Sequence, residues 1–303
     1  MTRSRLISTS DGTRSEAFAG LEWGLLALIA GIWGSSFLFI ELALESFSPF
    51  LITSLRIGFG ATALALVPGA RRPIERYDWP RVFLVGIVWM AFPLSLFPIA
   101  QQWIDSSLAG MLNSSMPLFS AFFAALLLRR SPGRPQFVGL VLGFAGVAVI
   151  TLPAVDNATS SSGLGALLVI AATASYGLAA NLVVPLQQRY GSLPVLLRVQ
   201  VVALIATAPM GMAGVADSSF SPTALAATVA LGALGTGVAF VLMASLVGRV
   251  GATRGSVAIY FIPLVAIVLG VVFLDESVAA LSVIGTAVVL LGAWLTSRSE
   301  RSK

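Results

Sequence analysis

Residues 256–274 read SVAIYFIPLVAIVLGVVFL, and none of these nineteen positions is charged. A hydrocarbon core about 30 Å thick takes roughly 20 apolar residues of α-helix. A run this long, apolar on every face, reads as a membrane-spanning helix. A barrel strand would need only about 10 residues alternating in polarity. Outward from this stretch the pattern recurs at 22–40, 49–68, 82–102, 108–128, 137–153, 165–184, 194–214 and 224–247, and once more at 280–297. The breaks between runs are mostly short, as antiparallel neighbours in one bundle require.

The composition agrees. Of 303 residues, 57% are apolar and 10% charged, against about 25% charged in a soluble domain; the mean hydropathy is +0.94. So few charges could not cover a soluble globule. Cysteine is absent, and so is histidine. That excludes a disulfide framework, a cysteine nucleophile, a zinc centre and a histidine base, so neither cofactor nor metal is expected. The net charge of +5 is dispersed between apolar runs, not gathered on one face, so nucleic acid is not an expected partner. The expected partners are the lipid bilayer and a small-molecule substrate. A monomer is sufficient, and the oligomeric state is left open.

Arg3, Arg5 and Arg14 precede the first apolar run, as in a secretory leader. The run is longer than a leader's apolar core and no small-residue cleavage site closes it, so it is read as a retained helix. Basic residues in short loops set orientation. With residues 1–21 inside, sixteen of the eighteen basic residues fall on that side, among them Arg71, Arg72, Arg129, Arg130, Arg189, Arg249 and Arg298. Glu41, Glu45, Asp105, Asp156, Asp217, Asp275 and Glu276 fall on the other. Both termini are therefore expected in the cytoplasm and the number of spans is even. Helical spans place the chain in a plasma (inner) membrane, bacterial by its arginine-rich usage, since outer membranes take barrels.

A shift of 146 residues lays Gly86 on Gly232, Pro117 on Pro263, Gly139 on Gly285 and Gly146 on Gly292. Near the N-terminus the shift is 143, laying Trp33-Gly34 on Tyr176-Gly177; at 142 Arg56 falls on Arg198. Each half holds five spans, an odd number, so the second half must enter from the opposite side. Inverted repeats of this kind build many secondary transporters, with the substrate site near midplane between the halves. The expected fold is an all-α integral membrane protein of ten transmembrane helices in two inverted five-helix repeats. The repeats occupy 21–155 and 163–297, between cytoplasmic tails at 1–20 and 298–303.

Within these spans the sequence resembles the EamA-like exporters of the drug/metabolite transporter superfamily. The resemblance is carried by Trp33-Gly34-Ser35-Ser36, by Leu55-Arg56, by Leu112-Asn113-Ser114-Ser115-Met116-Pro117-Leu118, and by Pro263-Leu264 running to Leu274-Asp275-Glu276. It covers about residues 20–297. One departure is visible: the fourth span closes on Leu128-Arg129-Arg130 where the family has a Gly-Glu-Arg-like tripeptide. The resemblance implies export of small polar metabolites, amino acids among them, through a cavity lined by both halves. A multidrug exporter of the same fold is the alternative, with a channel or a membrane-embedded enzyme more remote.

The candidate site residues are polar or aromatic groups inside apolar runs. Pro117 cannot donate to the carbonyl of Asn113 and frees that acceptor, while Asn113, Ser114 and Ser115 add polarity beside it. Such groups face protein or a water-filled path. The packing alternative is that they bond their own backbone. Pro263, with Tyr260, is the counterpart in the second half. Trp33 and Tyr176 form an aromatic pair at equivalent positions, lining a cavity or packing against Gly34 and Gly177; Trp89 joins the candidates on weaker grounds. Asn181, Gln101, Gln102, Gln200 and Thr236 are further polar groups within spans, and of these Asn181 completes the candidate set. Arg56 sits about seven residues, roughly 10 Å, inside its helix end. A charge at the bilayer centre costs about 2.5–3.5 kcal/mol. Arg56 either binds a substrate carboxylate or reaches Glu41, Glu45 or the headgroups, whereas Arg198 is expected to snorkel. No Asp or Glu lies at mid-span, so weak or absent proton coupling is expected.

Overall fold

The computed structural model describes residues 20–128, 133–156, 160–250 and 256–297. The expected tails, apart from Gly20, lie outside the described residues, as do Arg129, Arg130 and Arg254.

The described residues are all-helical, with no strand among them. Helix α1 is Gly20–Leu44 and α2 is Pro49–Ala65. Helix α3 runs through Trp79–Val85, a π-helical segment Gly86–Ala91 and Phe92–Ala100. Helix α4 is Ser106–Asn113 followed by Met116–Leu128. Helices α5, α6 and α7 are Arg134–Asp156, Ser160–Leu182 and Ser192–Ala213. Helix α8 is Pro222–Val229, a π-helical segment Ala230–Val238 and Ala239–Val250. Helix α9 opens with the 3-10 turn Ser256–Phe261 and continues as Ile262–Leu274, and α10 is Ala280–Ser297. Eight of these are long and apolar enough to cross a bilayer; α2 and α10 are shorter apolar helices.

Without water, every backbone group in a span must be satisfied within the protein, and the sequence provides for this locally. Ser48 opens α2, its Oγ accepting the Leu51 N–H at 3.3 Å, with Pro49 at the first helical position where no donor is needed. Ser221 and Pro222 do the same for α8. Buried hydroxyls within helices bond back to carbonyls one turn earlier, as Thr207 does to Ala203. Large apolar side chains such as Phe83, Ile205 and Phe273 point outward, where lipid would lie.

The irregular stretches cluster at mid-helix. The expected break at Pro117 lies at Ser114-Ser115, where two successive i−3 backbone bonds tighten the chain. The turn into Pro263 is 3-10. Part of α3, opening on Gly86, and the glycine-rich middle of α8 widen into π-helix, a form that concentrates at functional sites.

Packing is closest where glycines meet. Helices α5 and α10 run antiparallel along one seam: a Cβ on Gly139 would lie 2.7 Å from the Gly292 carbonyl oxygen, and one on Gly146 would lie 2.8 Å from that of Gly285. Helices α2 and α7 also run antiparallel, with Ser54 Oγ donating to the Thr207 carbonyl near one end and Gly69 beside Leu193 at the other. The π-segment of α3 lies on α7 at Val199 and Val202, and that of α8 lies on α2 at Arg56 and Phe59. Ion pairs tie one end of the bundle: Arg189 with Glu75 and Asp78, and Arg249 with Glu22. Arg198 reaches that same end and donates to the carbonyls of Ala70, Arg71 and Arg72. At the opposite end the Glu276 carboxylate accepts the N–H groups of Ser106 and Ser107, at 2.8 and 2.9 Å.

Candidate functional site

A cavity of about 280 Å³ lies at mid-bundle, lined from α1, α2, α3, α4, α6, α7, α8 and α9. Most of its wall is apolar and aromatic. Trp33 and Trp89 flank the Phe240 ring edge-on, at centroid distances of 5.5 and 5.6 Å, and Phe97 stacks on Tyr176 at 5.9 Å. The cavity extends toward Gln187, Ser192, Met243 and Ala244, the end of the bundle that carries Arg189 and Arg249.

Arg56 enters this wall from α2 and is 7% exposed. Its Nε donates to Thr236 Oγ1 at 2.9 Å. It forms no ion pair among the described residues, and Glu41 and Glu45 line a different space. The Nη edge of this buried guanidinium has no hydrogen-bond acceptor among the described residues. Tyr176 and Trp89 add a phenol and an indole donor, neither hydrogen-bonded among the described residues. Asn113 supplies the opposite polarity: its Oδ1 is buried with no donor. Burial strengthens whatever these groups bind, because unpaired polar groups in low dielectric are costly.

The sequence-predicted residues divide clearly. Trp33, Arg56, Trp89, Asn113 and Tyr176 line the cavity. Ser114, Ser115, Pro117, Asn181, Tyr260 and Pro263 are not part of its wall. The two serines are fully buried and donate to the carbonyls of Met111 and Leu112, so their polarity is consumed by the helix break. Asn181 donates to the carbonyls of Ser120 and Gly177 and pins α4 to α6. The Trp33 indole donates to the Gly235 carbonyl at 3.0 Å while its ring faces the cavity. Among the described residues no group of Asp, Glu, His or Cys is arranged to hold a metal ion.

The EamA-like transporter family matches the sequence twice, over residues 21–152 and 163–298. The chain belongs to that family. It is a multi-pass membrane transporter and not an enzyme. It is 26% identical over 279 residues to an uncharacterized transporter of Archaeoglobus fulgidus, covering 92% of this chain and 99% of that one. It is 28% identical over 280 residues to a probable terminal-alkyne amino-acid exporter of Streptantibioticus cattleyicolor, with 91% and 93% covered. A solved crystal structure superposes with a TM-score of 0.63 at 19% identity, covering 92% of this chain and 96% of that chain, and shows the same fold.

The transporter has a second, wider space at the Glu276 end, a vestibule lined by Glu41, Glu45, Asp105, Asp217 and Glu276, with no basic side chain in its wall. Burial and the neighbouring Glu276 push the Asp105 carboxyl above the ordinary carboxylate range. The two spaces share no lining residue. Phe37, Ile40 and Phe97 close the central cavity on the vestibule side, Phe37 meeting Phe97 edge-on at 5.7 Å. Sequence reasoning did not select Ser36, Phe97, Gly235, Thr236 or Phe240 for the wall of the transporter's cavity. Ser36 lies in a quoted motif and Thr236 is a polar group in an apolar run, so both carried a signal; the phenylalanines among so many others carried none.

Proposed function

We propose that the transporter exports small carboxylate-bearing metabolites, amino acids with apolar side chains first, by alternating access through the central cavity. The observation that carries this reading is Arg56, a buried guanidinium with a free Nη edge in an aromatic cavity that also presents the orphaned Asn113 Oδ1. The guanidinium fork fits a carboxylate, the amide oxygen accepts from an ammonium, and the tryptophan, phenylalanine and tyrosine rings suit an apolar side chain. The likeness to a probable amino-acid exporter points the same way.

The carrier is a bundle of ten transmembrane helices in two inverted five-helix repeats, over 21–155 and 163–297. The double family match supports the repeat, and paired contacts support its inversion. The seam contact of Gly139 with Gly292 has its twin in Gly285 with Gly146, on helices that run antiparallel. Gly34 meets Val265 as Gly177 meets Phe119. The Trp33 indole bonds the Gly235 carbonyl of one π-segment, and Ser175 Oγ bonds the Val88 carbonyl of the other. Gly86 packs on Val199 as Gly232 packs on Arg56, so the counterpart of Arg56 is Val199 and not Arg198, and the deep cation is unmatched. With the arginine-rich end in the cytoplasm of a bacterial inner membrane, and both termini there, the structure is inward-facing and the acidic vestibule is external.

Counterflow in proteoliposomes tests this. Saturable uptake of labelled leucine or phenylalanine is expected in the parent, with a large loss in Arg56→Ala and in Trp33→Ala. Among the described residues no carboxylate lines the cavity, so uptake should persist when the pH gradient alone is collapsed at fixed voltage. Uptake unchanged in Arg56→Ala, with neutral or cationic hydrophobic compounds carried instead, would establish the multidrug reading.

A further inference from the structure

We infer that Thr236 is the positioning residue that aims Arg56, and that it sets the transporter's preference for a carboxylate over an uncharged group; this rests on the reading of Arg56 given above. Thr236 lies in the π-helical segment Ala230–Val238, on the opposite half of the chain from Arg56. Its hydroxyl hydrogen is spent on the Leu231 carbonyl five residues earlier, at 3.3 Å, a bond available only in π register. The oxygen is then left to accept, and it takes Arg56 Nε at 2.9 Å. Thr236 is itself held from two further sides. Gln200 Nε2 donates to its backbone carbonyl at 2.6 Å. Gly60 presses close from α2, where a Cβ would come within 2.8 Å of Thr236 Cβ.

The consequence for Arg56 is geometric. With Nε occupied, the guanidinium cannot turn its Nε side to a ligand and presents the two Nη groups end-on to the cavity. Without the hydroxyl, the long side chain is free to swing and to snorkel, and a planar fork bonds two oxygens only when its plane is fixed. In an ordinary α-helical turn the Thr236 hydroxyl would reach back to residue 232, away from this arrangement. The π-segment thus holds the anion-binding group of the facing repeat.

The test compares equilibrium binding of L-phenylalanine with that of L-phenylalaninamide, which lacks the carboxylate, to the full chain in lipid nanodiscs. The parent is expected to prefer the acid. Thr236→Val should bind the acid about tenfold more weakly, the scale of one hydrogen bond to a charged group, and the amide unchanged. Thr236→Ser, which keeps the hydroxyl, should stay within about twofold of the parent. Arg56→Gln should abolish the preference, and adding Thr236→Val to it should change nothing further. If Arg56→Gln leaves the preference intact, or the parent binds neither ligand, the functional reading itself fails. If Arg56→Gln abolishes the preference but Thr236→Val retains it, or weakens acid and amide equally, Thr236 is a packing residue and only this inference is overturned.

Discussion

Trp33 and Arg56 are held by two neighbouring residues of α8, Trp33 by the Gly235 carbonyl and Arg56 by the Thr236 hydroxyl, so each can be weakened without deleting its bulk. Trp33→Phe keeps a ring against Phe240 and loses the indole bond to the Gly235 carbonyl. About 1 kcal/mol of stability should go with it, measured as a lower midpoint of thermal unfolding in detergent; an unchanged midpoint would mean that the bond contributes nothing net. Much at this scale is legible in the sequence, because an arginine, an asparagine and a tryptophan stand out in apolar runs. What is not legible is where a polar group directs its bonds. Asn113 and Ser114 are adjacent and equally conspicuous, yet one faces the cavity and the other closes a turn on Met111. That choice follows from the helix break between them. Thr236 is visible as polar, but its partner follows from the π register of α8 and from the packing of that segment on α2.

At the scale of the helix, spans are readable from length and polarity, and their irregularities much less so. The run at 108–128 matches a span at Ser106–Leu127, but its proline marks the break two to three residues late. The run at 224–247 carries Gly232, Gly235 and Gly237, which signal close packing or flexing; the π form that accompanies their contact with α2 is not written in them. The start of α4 offers a test of electrostatics. Asp105 occupies the capping position with no side-chain bond of its own, and the exposed N–H groups are taken by Glu276. Its raised carboxyl value means that the folded protein disfavours the ionised form. Stability from this site is therefore full at low pH and is lost as pH rises through the raised value. Asp105→Asn should melt higher than the parent at neutral pH, with the gap closing on acidification below the ordinary carboxylate range. A parent that is the more stable at neutral pH would show instead that the favourable charge at a helix N-terminus outweighs the burial. The α5–α10 seam offers a test of packing: Gly139→Leu has no space against the Gly292 carbonyl, and overpacking on this scale costs about 1–3 kcal/mol or more. The variant should give a lower yield of monodisperse protein and a lower unfolding midpoint, whereas Gly24→Leu, at a position with open space around it, should behave as the parent.

Across the whole molecule, the described residues put Arg189, Arg198 and Arg249 at one end, with Glu22, Glu75 and Asp78 paired among them, and a wall of carboxylates without basic side chains at the other; the excess of basic residues on one side was the clearest message of the sequence. The two spaces respect it: an aromatic, guanidinium-bearing cavity reaches toward the arginine end, and a carboxylate-lined vestibule lies beyond Phe37 and Phe97. The proposed repeat rests, in the sequence, on sparse glycine and proline matches, and several of those glycines lie where backbones touch. Within the proposed repeat the contacts of Gly86 and Gly232 pair Arg56 with Val199, one residue on from the Arg198 that the sequence shift pairs with it. The glycine seam between α5 and α10 has a mechanical consequence. Helices that touch backbone to backbone along their length act as the spine of a book, keeping the two covers joined at one edge whatever the pages do. A joint along the full length holds those edges together and leaves the far edges free at either end. Shutting out ions while one end stands open therefore falls to the side chains between the covers, Phe37, Ile40 and Phe97 on the vestibule side.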